Sequence, residues 1–387
     1  MRRGPCGKYE TTSVVGEKVR SFIPNPLPPE PALVLSDHRY RLLERATVAL
    51  GRLDSVTLLL PDPNIFLYAY IRREAVLSSQ IEGTQSSLEE LLLFEIENAP
   101  GIPIDDVQEV SNYVAALSHG LERLQGDFPL SNRLIREMHG ILLSKGRGSD
   151  KSPGEFRRTQ NWIGGTRPGN AHFVPPPPDC VGDCMAKLES FLHDSQNPYP
   201  TLIKAALAHV QFETIHPFLD GNGRIGRLLI AFILHHDKLL SQPLLYLSLY
   251  FKQHRTEYYR LLDVVRSDGD WEAWLDFFLE GVEQIASNAV DTAKRLLSLF
   301  QDDEQKIQKM GRSASTILRV FRVLCDHPIT TQNQIKDLTR LSFPAVSKAM
   351  AQLRNLKVVK EITGKQRNRI FAYTQYLSIL NEGTEKP

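Results

Sequence analysis

HPFLDGNGRIGR, residues 216–227, decides between two folds. Its Gly221, Gly223 and Gly226 fall at the G-x-G-x-x-G spacing of dinucleotide-binding βαβ units, a pattern with meaning only after a strand and before a helix. The segment ahead, TLIKAALAHVQFETI, has a helical pattern rather than a run of β-branched residues, and Pro217 breaks it. No strand alternates with helix through the body either, so the parallel sheet that such a fold needs is missing. The dinucleotide-binding sheet is excluded.

Outward from this stretch the pattern is helical. SDHRYRLLERATVALGRLDSV, from Ser36, has a capping serine and apolar residues three and four apart. NIFLYAYIRREAVLSSQIEG predicts a second helix that stops at Gly83, and Ser87 with Glu90 forms a capping-box signature for SLEELLLFEIE. More helices are predicted at about 105–125, 131–144, 179–194, 200–214, 224–237, 253–266 and 271–298. Residues 1–31 end in the proline-rich IPNPLPPEP and are expected as an extended arm. In RRTQNWIGGTRPGNAHFVPPPP, Trp162, Ile163, Phe173 and Val174 flank a turn rich in Gly, Pro and Asn, the one hairpin predicted before the C-terminal region. The polar SLFQDDEQKIQKMGRSAS is expected to separate this body from a last segment of different rhythm. There, helix, helix, turn, helix and a two-stranded wing predict a winged helix-turn-helix module.

The 387 residues suffice for two or three domains, and 42% hydrophobic with 24% charged residues excludes wholesale disorder. A formal net charge of +1 predicts no whole-molecule attraction to nucleic acid or membrane. Cys6, Cys180, Cys184 and Cys325 form no C-x-x-C pair, which argues against a disulfide framework or zinc ribbon and for a reducing cytoplasm. The basic start has no apolar run behind it, and LLIAFIL from Leu228 is too short to span a bilayer, so a soluble chain without a membrane partner is expected.

The glycine-rich turn keeps a meaning of its own. DGNGRIGRLLIAFILHH sets it at a helix start, where unpaired N–H groups and the positive dipole end favour phosphate. Arg224 and Arg227, three apart, can turn two guanidinium groups to one side and donate to phosphate oxygens. Asp220 offers an oxygen ligand for Mg2+ on those phosphates. No G-x-x-x-x-G-K-[ST] match exists, so the nucleotide site has another design. His216 adds the base near neutrality that phosphate chemistry on a hydroxyl needs. Alone, a histidine beside Pro reads as a helix-end or core residue; these neighbours make it a candidate catalyst.

Together these residues resemble the signature of the Fic family, H-P-F-x-[DE]-G-N-G-R-x-x-R, with His216, Pro217, Phe218, Asp220, Gly221, Asn222, Gly223, Arg224 and Arg227 at every fixed position. The resemblance covers most of the helical body. The hairpin at 160–174 is placed like the family's target-docking flap, and YYRLLDVV with DWEAWLDFF resembles the helices closing the site. It implies a mainly α fold, a Fic-type helical bundle with a β-hairpin flap, followed here by a small winged helix-turn-helix domain. It also implies transfer of AMP from ATP to a Ser, Thr or Tyr hydroxyl of a target protein or of the chain itself. On that pattern His216 is the base, Asp220 holds Mg2+, and the Gly221, Asn222 and Gly223 backbone with the Asn222 side chain forms the anion hole. Arg224 contacts the phosphates, Arg227 clamps the γ-phosphate, and Ile225 and Gly226 belong to the same nucleotide-binding turn. The fold family also contains phosphocholine, UMP and phosphate transferases; Gly223 argues against the kinase-like branch, in which that position is altered. Tyr258 and Tyr259 resemble positions lining the adenine pocket, although an aromatic pair on a helix serves core packing equally well. The flap residues Trp162, Ile163, Gly164, Gly165, His172 and Phe173 would receive an extended target segment by strand addition, the alternative being a merely structural hairpin.

SSQIEG, residues 78–83, matches the family's inhibitory motif [ST]-x-x-x-E-[GN] through Ser78, Glu82 and Gly83. Ser78 and Glu82 are one helical turn apart, so Glu82 would pair with Arg227 and occupy the group that holds the γ-phosphate. In some relatives that glutamate also orients water for AMP removal, and Glu82 is a candidate for the same. The alternative is a solvated glutamate near a helix end.

From Arg319 to Arg369, eleven basic residues face three acids, Asp326, Asp337 and Glu361, for a net of +8. SFPAVSKAMAQL is the expected recognition helix, presenting Ser342, Ala345, Ser347 and Lys348, and GKQRNR the wing tip with Lys365, Arg367 and Arg369. DNA contact is one reading; dimerisation or protein docking is the other, and a homodimer stays open. The domain division expected is 1–110 for an N-terminal arm and inhibitory helix, 111–300 for the catalytic domain and 313–380 for the winged helix. Two functions follow: a protein adenylyltransferase held in check by Glu82, or a DNA-binding transcription regulator whose body only senses nucleotide.

Overall fold

The computed structural model describes residues 1–14, 16–59, 63–96 and 104–384; Glu97, the last residue of the predicted SLEELLLFEIE helix, lies outside them. The chain does not begin as an extended arm. Strands β1 (Gly7–Val14) and β2 (Glu17–Pro24) pair antiparallel from Gly7 opposite Pro24 to Val14 opposite Glu17. The hairpin turns at Gly16, φ 80°, and buries Val19 and Phe22 from opposite faces of β2. The proline run after Ile23 masks it in the sequence.

A helical body follows: α1 (Asp37–Leu59), α2 (Pro63–Ile81), α3 (Leu88–Phe94), α4 (Ile104–Gln125), α5 (Asn132–Leu142), α6 (Pro178–His193), α7 (Thr201–Ile215), α8 (Asn222–His236), α9 (Ser248–Gln253), α10 (Arg255–Asp268) and α11 (Trp271–Gln308). The capping box before α3 forms as predicted, Glu90 N donating to Ser87 Oγ at 3.2 Å and Ser87 N to Glu90 Oε2 at 2.8 Å. At the centre α7 and α8 lie side by side, and nearly every residue of α7 is buried. A helix that is apolar all round belongs in a core, and here α2, α4, α5, α6, α10 and α11 wrap the pair. Because α7 ends at Ile215 and α8 begins at Asn222, the loop between them is held inside this wrapping.

The polar stretch expected to separate the body from the C-terminal region is not a break. Helix α11 runs through it to Gln308, since no proline or glycine interrupts before Gly311. The C-terminal region packs on that extension. It consists of α12 (Ala314–Asp326), β3 (Ile329–Thr331), α13 (Gln332–Thr339), α14 (Phe343–Asn355), β4 (Lys360–Glu361), β5 (Ile370–Ala372) and α15 (Thr374–Asn381), with sheet order β3-β5-β4. This is the winged helix-turn-helix order, plus the unforeseen α15, which turns back onto α11 and α2. One hydrophobic cluster runs from the body through this unit.

A buried polar contact locks the junction: Tyr373, fully buried, donates its hydroxyl to Asp303 Oδ2 at 2.6 Å, and Asp303 is itself 1% exposed. Tyr373→Phe is expected to cost about 1–3 kcal/mol, because a buried carboxylate oxygen loses its donor. Scanning calorimetry should show a lowered melting temperature, and an unchanged one would contradict this account of the junction.

Candidate active site

The α7–α8 loop is shaped by side chains from outside it. His216 caps α7 in the left-handed region, φ 49° and ψ 61°, an uncommon conformation for a residue with a side chain. Arg157 holds it there. Its backbone N–H donates to Pro217 O at 2.9 Å, and its guanidinium donates to His216 O at 2.9 Å and Pro176 O at 2.6 Å. On the other side the fully buried His139 accepts from Gly154 N at 2.8 Å through Nδ1, so Nε2 carries the proton donated to Asp220 O at 3.0 Å. The ring stacks on Phe218 at 3.7 Å. Burial keeps His139 neutral, its pKa pushed down to about 4.

Within the loop, Asn222 Nδ2 donates to Phe218 O and its Oδ1 accepts from Phe218 N, both at 2.8 Å. Its amide thus closes the loop, and its expected part in the anion hole remains a proposal. The backbone of Gly221 and Gly223 stays at the α8 N-terminus, with Gly221 at φ 77°. Gly226 and Ile225 also serve packing. A Cβ on residue 226 would collide with Glu213 Oε1, so this glycine permits α7 and α8 to approach, while Ile225 is fully buried in the core. Tyr258 is a core residue too: His209 Nδ1 donates to Gly226 O at 2.9 Å, which leaves Nε2 to accept from the Tyr258 hydroxyl at 2.9 Å. Neighbouring Tyr259 is half-buried, with Arg255 over its ring at 5.1 Å.

Both arginines of the motif are buried and each is met by a carboxylate from the N-terminal helices. Arg224 lies between Glu109 of α4, at 3.3 Å, and Asp220, at 3.5 Å. Arg227 donates from Nε to Ser78 Oγ at 2.8 Å and from Nη2 to Ser78 O at 2.9 Å and Glu82 Oε1 at 2.8 Å. Burial opposes charge on both members of the latter pair. Their mutual attraction outweighs it, so Glu82 is held below the ordinary carboxylate range and Arg227 above its usual one.

Local structure explains how SSQIEG delivers this contact. Gly83, at φ 97°, donates to Gln80 O at 3.1 Å and Thr84 N to Ser79 O at 3.2 Å, a Schellman ending that places Glu82 as the cap residue just past Ile81. Its carboxylate lies over Gly223, where a Cβ would clash with Oε1. The gap left by that glycine at a helix N-terminus therefore holds an anion already.

His216 is half-buried under Arg266 and Arg157. Burial first, then those two cations, push its pKa down to about 3, against the pull of Glu82. The ring is neutral at physiological pH, as a proton acceptor must be. Asp220 keeps a third of its side-chain surface exposed, 33%, and Oδ1 accepts from Gly221 N at 2.5 Å. Among the described residues no group of three His, Cys, Asp or Glu side chains is placed to hold a metal ion. One carboxylate together with substrate phosphates fits Mg2+, which seldom uses an all-protein cage.

The flap segment is reduced to one bridge, Ile163 N donating to Phe173 O at 2.8 Å and Phe173 N to Ile163 O at 3.1 Å. Gly164 and Gly165 are exposed at its tip with φ of 66° and 71°, and His172 reaches Asp263 at 2.6 Å. The N-terminal hairpin buttresses it. Phe22 N donates to Val174 O at 2.9 Å, Trp162 packs on Val14, Val19 and Val174, and Glu17 takes Arg167 at 2.6 Å. Phe173 is buried under Arg266, 4.1 Å from its ring. The basic residues Lys348, Lys365, Arg367 and Arg369 are exposed in the C-terminal unit, away from this loop in the chain.

Arg157, His139, Glu109 and Arg266 escape a reading of the sequence. A lone histidine on an amphipathic helix, or a lone arginine in a loop, carries no signal of its partner 81 or 59 residues away.

Residues 40–122 match the family model described as Fic/DOC family N-terminal, and residues 129–234 the one described as Fic/DOC family. Protein adenylyltransferase Fic of Aedes aegypti is 33% identical over 187 residues, 48% of this chain and 34% of that protein. The protein of the same name from Drosophila grimshawi is 31% identical over 185 residues, 48% of this chain and 35% of its own length. The chain thus spans about a third of the length of these curated relatives. Among solved structures, a Fic family protein from Desulfovibrio desulfuricans superposes with a TM-score of 0.58 at 22% identity, over 90% of this chain and 98% of that one. A Fic domain containing signaling protein from Bacteroides thetaiotaomicron gives 0.52 at 19%, over 65% and 97%. These two likenesses speak for the fold.

In the free protein the His216 ring is expected to stay neutral from about pH 8 down to about pH 5.5, since its pKa lies far below the usual histidine range. Histidine-detected nitrogen NMR checks this, and an ordinary midpoint near 6.5 would contradict the burial argument.

Proposed function

This chain carries both domains of the Fic/DOC family, and from that premise we infer that it is a protein adenylyltransferase, moving AMP from ATP to a Ser, Thr or Tyr hydroxyl of a target protein or of itself. The observation that carries the reading is the convergence on one loop of a neutral base, a helix N-terminus and two buried arginines. The hydroxyl oxygen attacks the α-phosphorus as His216 takes its proton, and the bond to the pyrophosphate oxygen breaks. The α8 N-terminus at Gly221–Gly223 receives phosphate oxygens, Arg224 adds charge beside them, and Arg227 takes the γ-phosphate. Asp220 would hold Mg2+, which would supply charge neutralisation at the phosphates. Positioning and charge neutralisation supply most of the catalysis in such transfers, which suits a site with no activated nucleophile of its own.

Glu82 is the brake. While it sits on Arg227 the γ-phosphate has no cation there, and ATP binds weakly or unproductively. Arg157, His139 and Asn222 set the position of His216 without contacting substrate. An extended target segment docks along the flap, which the N-terminal hairpin stiffens.

A second reading rests on the exposed basic wing, Lys365, Arg367 and Arg369, with Lys348 on α14. In it the winged unit contacts duplex DNA and the body senses nucleotide without chemistry. One set of variants separates the two. Glu82→Gly should raise ATP-dependent self-labelling, followed by intact mass, at least about tenfold, and adding His216→Ala should abolish the label while leaving any DNA mobility shift intact. Absence of label from Glu82→Gly would remove the transferase reading.

A further inference from the structure

The brake helix α2 is gripped by the far end of the chain. Gln80 lies inside SSQIEG, two residues before Glu82, and is 4% exposed. Its amide is fully used: Nε2 donates to Ser86 O at 2.9 Å and to Thr384 O at 3.1 Å, and Oε1 accepts from Lys252 Nζ at 2.7 Å. Two turns earlier on α2, the buried Arg73 donates to Glu382 O at 2.6 Å. These two contacts span 304 and 309 residues of sequence.

The segment they reach is itself anchored. Arg295 of α11 takes the Glu382 carboxylate at 2.6 and 2.7 Å. Gly383, at φ 83°, lies so close to Leu249 that a Cβ there would come within 2.7 Å of it. Thr384 is 3% exposed and turns back onto Asn381, its N–H and its hydroxyl each donating to Asn381 O at 2.9 Å. Helix α15, which leads into this segment, packs on α2 and α11, and α12 touches α2 as well, with His327 edge-on to Tyr68 at 5.2 Å.

We propose that residues 382–384 are part of the brake: through Gln80 and Arg73 they hold the end of α2 where Glu82 meets Arg227, so that the position of the winged unit sets how firmly the site is closed. The proposal rests on the reading of Glu82 as an inhibitory residue. The physical reason is that Glu82 caps the C-terminal end of α2, and a terminal turn frays unless packing or side-chain bonds fix it. From within, the turn is held by Arg227 through Ser78 and Glu82. From outside, Gln80 ties it to Thr384, so withdrawal of the segment leaves two buried polar side chains, Gln80 and Arg73, short of a partner and favours a shifted α2. Gln80 and Arg73 are thus positioning residues for the inhibitory contact.

The test uses the full chain, the chain ended after Asn381, and Gln80→Ala, each with and without Glu82→Gly, assayed for self-labelling from ATP. Ending the chain after Asn381 should raise labelling about tenfold or more and Gln80→Ala should raise it less. Neither should add to Glu82→Gly, because both act through that residue. Amide exchange of residues 78–84 should also quicken in the shortened chain while α7 and α8 stay protected; should they lose protection, Gln80→Ala alone carries the test. If Glu82→Gly rises and neither variant does, or if they add fully to it, the proposal is overturned. If Glu82→Gly itself does not rise, the brake reading falls, and this proposal with it.

Discussion

Arg227 is a guanidinium buried to 2% in the middle of a helical protein, and a buried cation must be met by anions and acceptors or the fold pays several kcal/mol. Much of the structure follows from that demand. Ser78 must be on α2 facing α8, Glu82 must cap α2 one turn later, and Gly83 must turn left-handed to end the helix there. Gly223 must lack a Cβ so that a carboxylate, or a phosphate in its stead, can lie on the α8 N-terminus. On the proposed reading a nucleotide would need this same cavity, and inhibition and substrate binding would be alternative solutions to one electrostatic problem.

A parallel arrangement at Arg224 shows this is a pattern of the site. Glu109 meets that guanidinium from α4 as Glu82 meets Arg227 from α2. Both carboxylates come from the region ahead of the catalytic helices. The N-terminal helices thus complete the charge balance of the core rather than merely covering it. Around this pair the loop of His216 is fixed by hydrogen bonds from His139, Arg157 and Asn222.

What the sequence shows and hides follows the range of the interactions. The motif is legible because its parts are local: a base, a turn, a helix start and two arginines within twelve residues, each needed for a stated reason. Ser78 and Glu82 are legible for the same reason, one turn apart with a glycine beyond. The winged unit is read from its order of elements and its basic wing. Tyr258 is misread because adjacent aromatics on a helix look the same whether they face a base or a core, and only the His209 contact decides. The N-terminal hairpin is hidden by the prolines after it, and α11 continues through polar residues that are good helix formers. Glu109, His139, Arg157 and the 382–384 segment act across the chain, at separations where a single sequence carries no pairing signal.

The central claim is that Arg227 is the γ-phosphate cation and that Glu82 withholds it. Calorimetric titration with ATP and with AMP, of the wild-type chain and of Glu82→Gly, tests it directly, since only ATP carries the group in question. The account predicts that Glu82→Gly tightens ATP binding about tenfold or more and leaves AMP binding unchanged. An equal change for both nucleotides, or none for ATP, would contradict it.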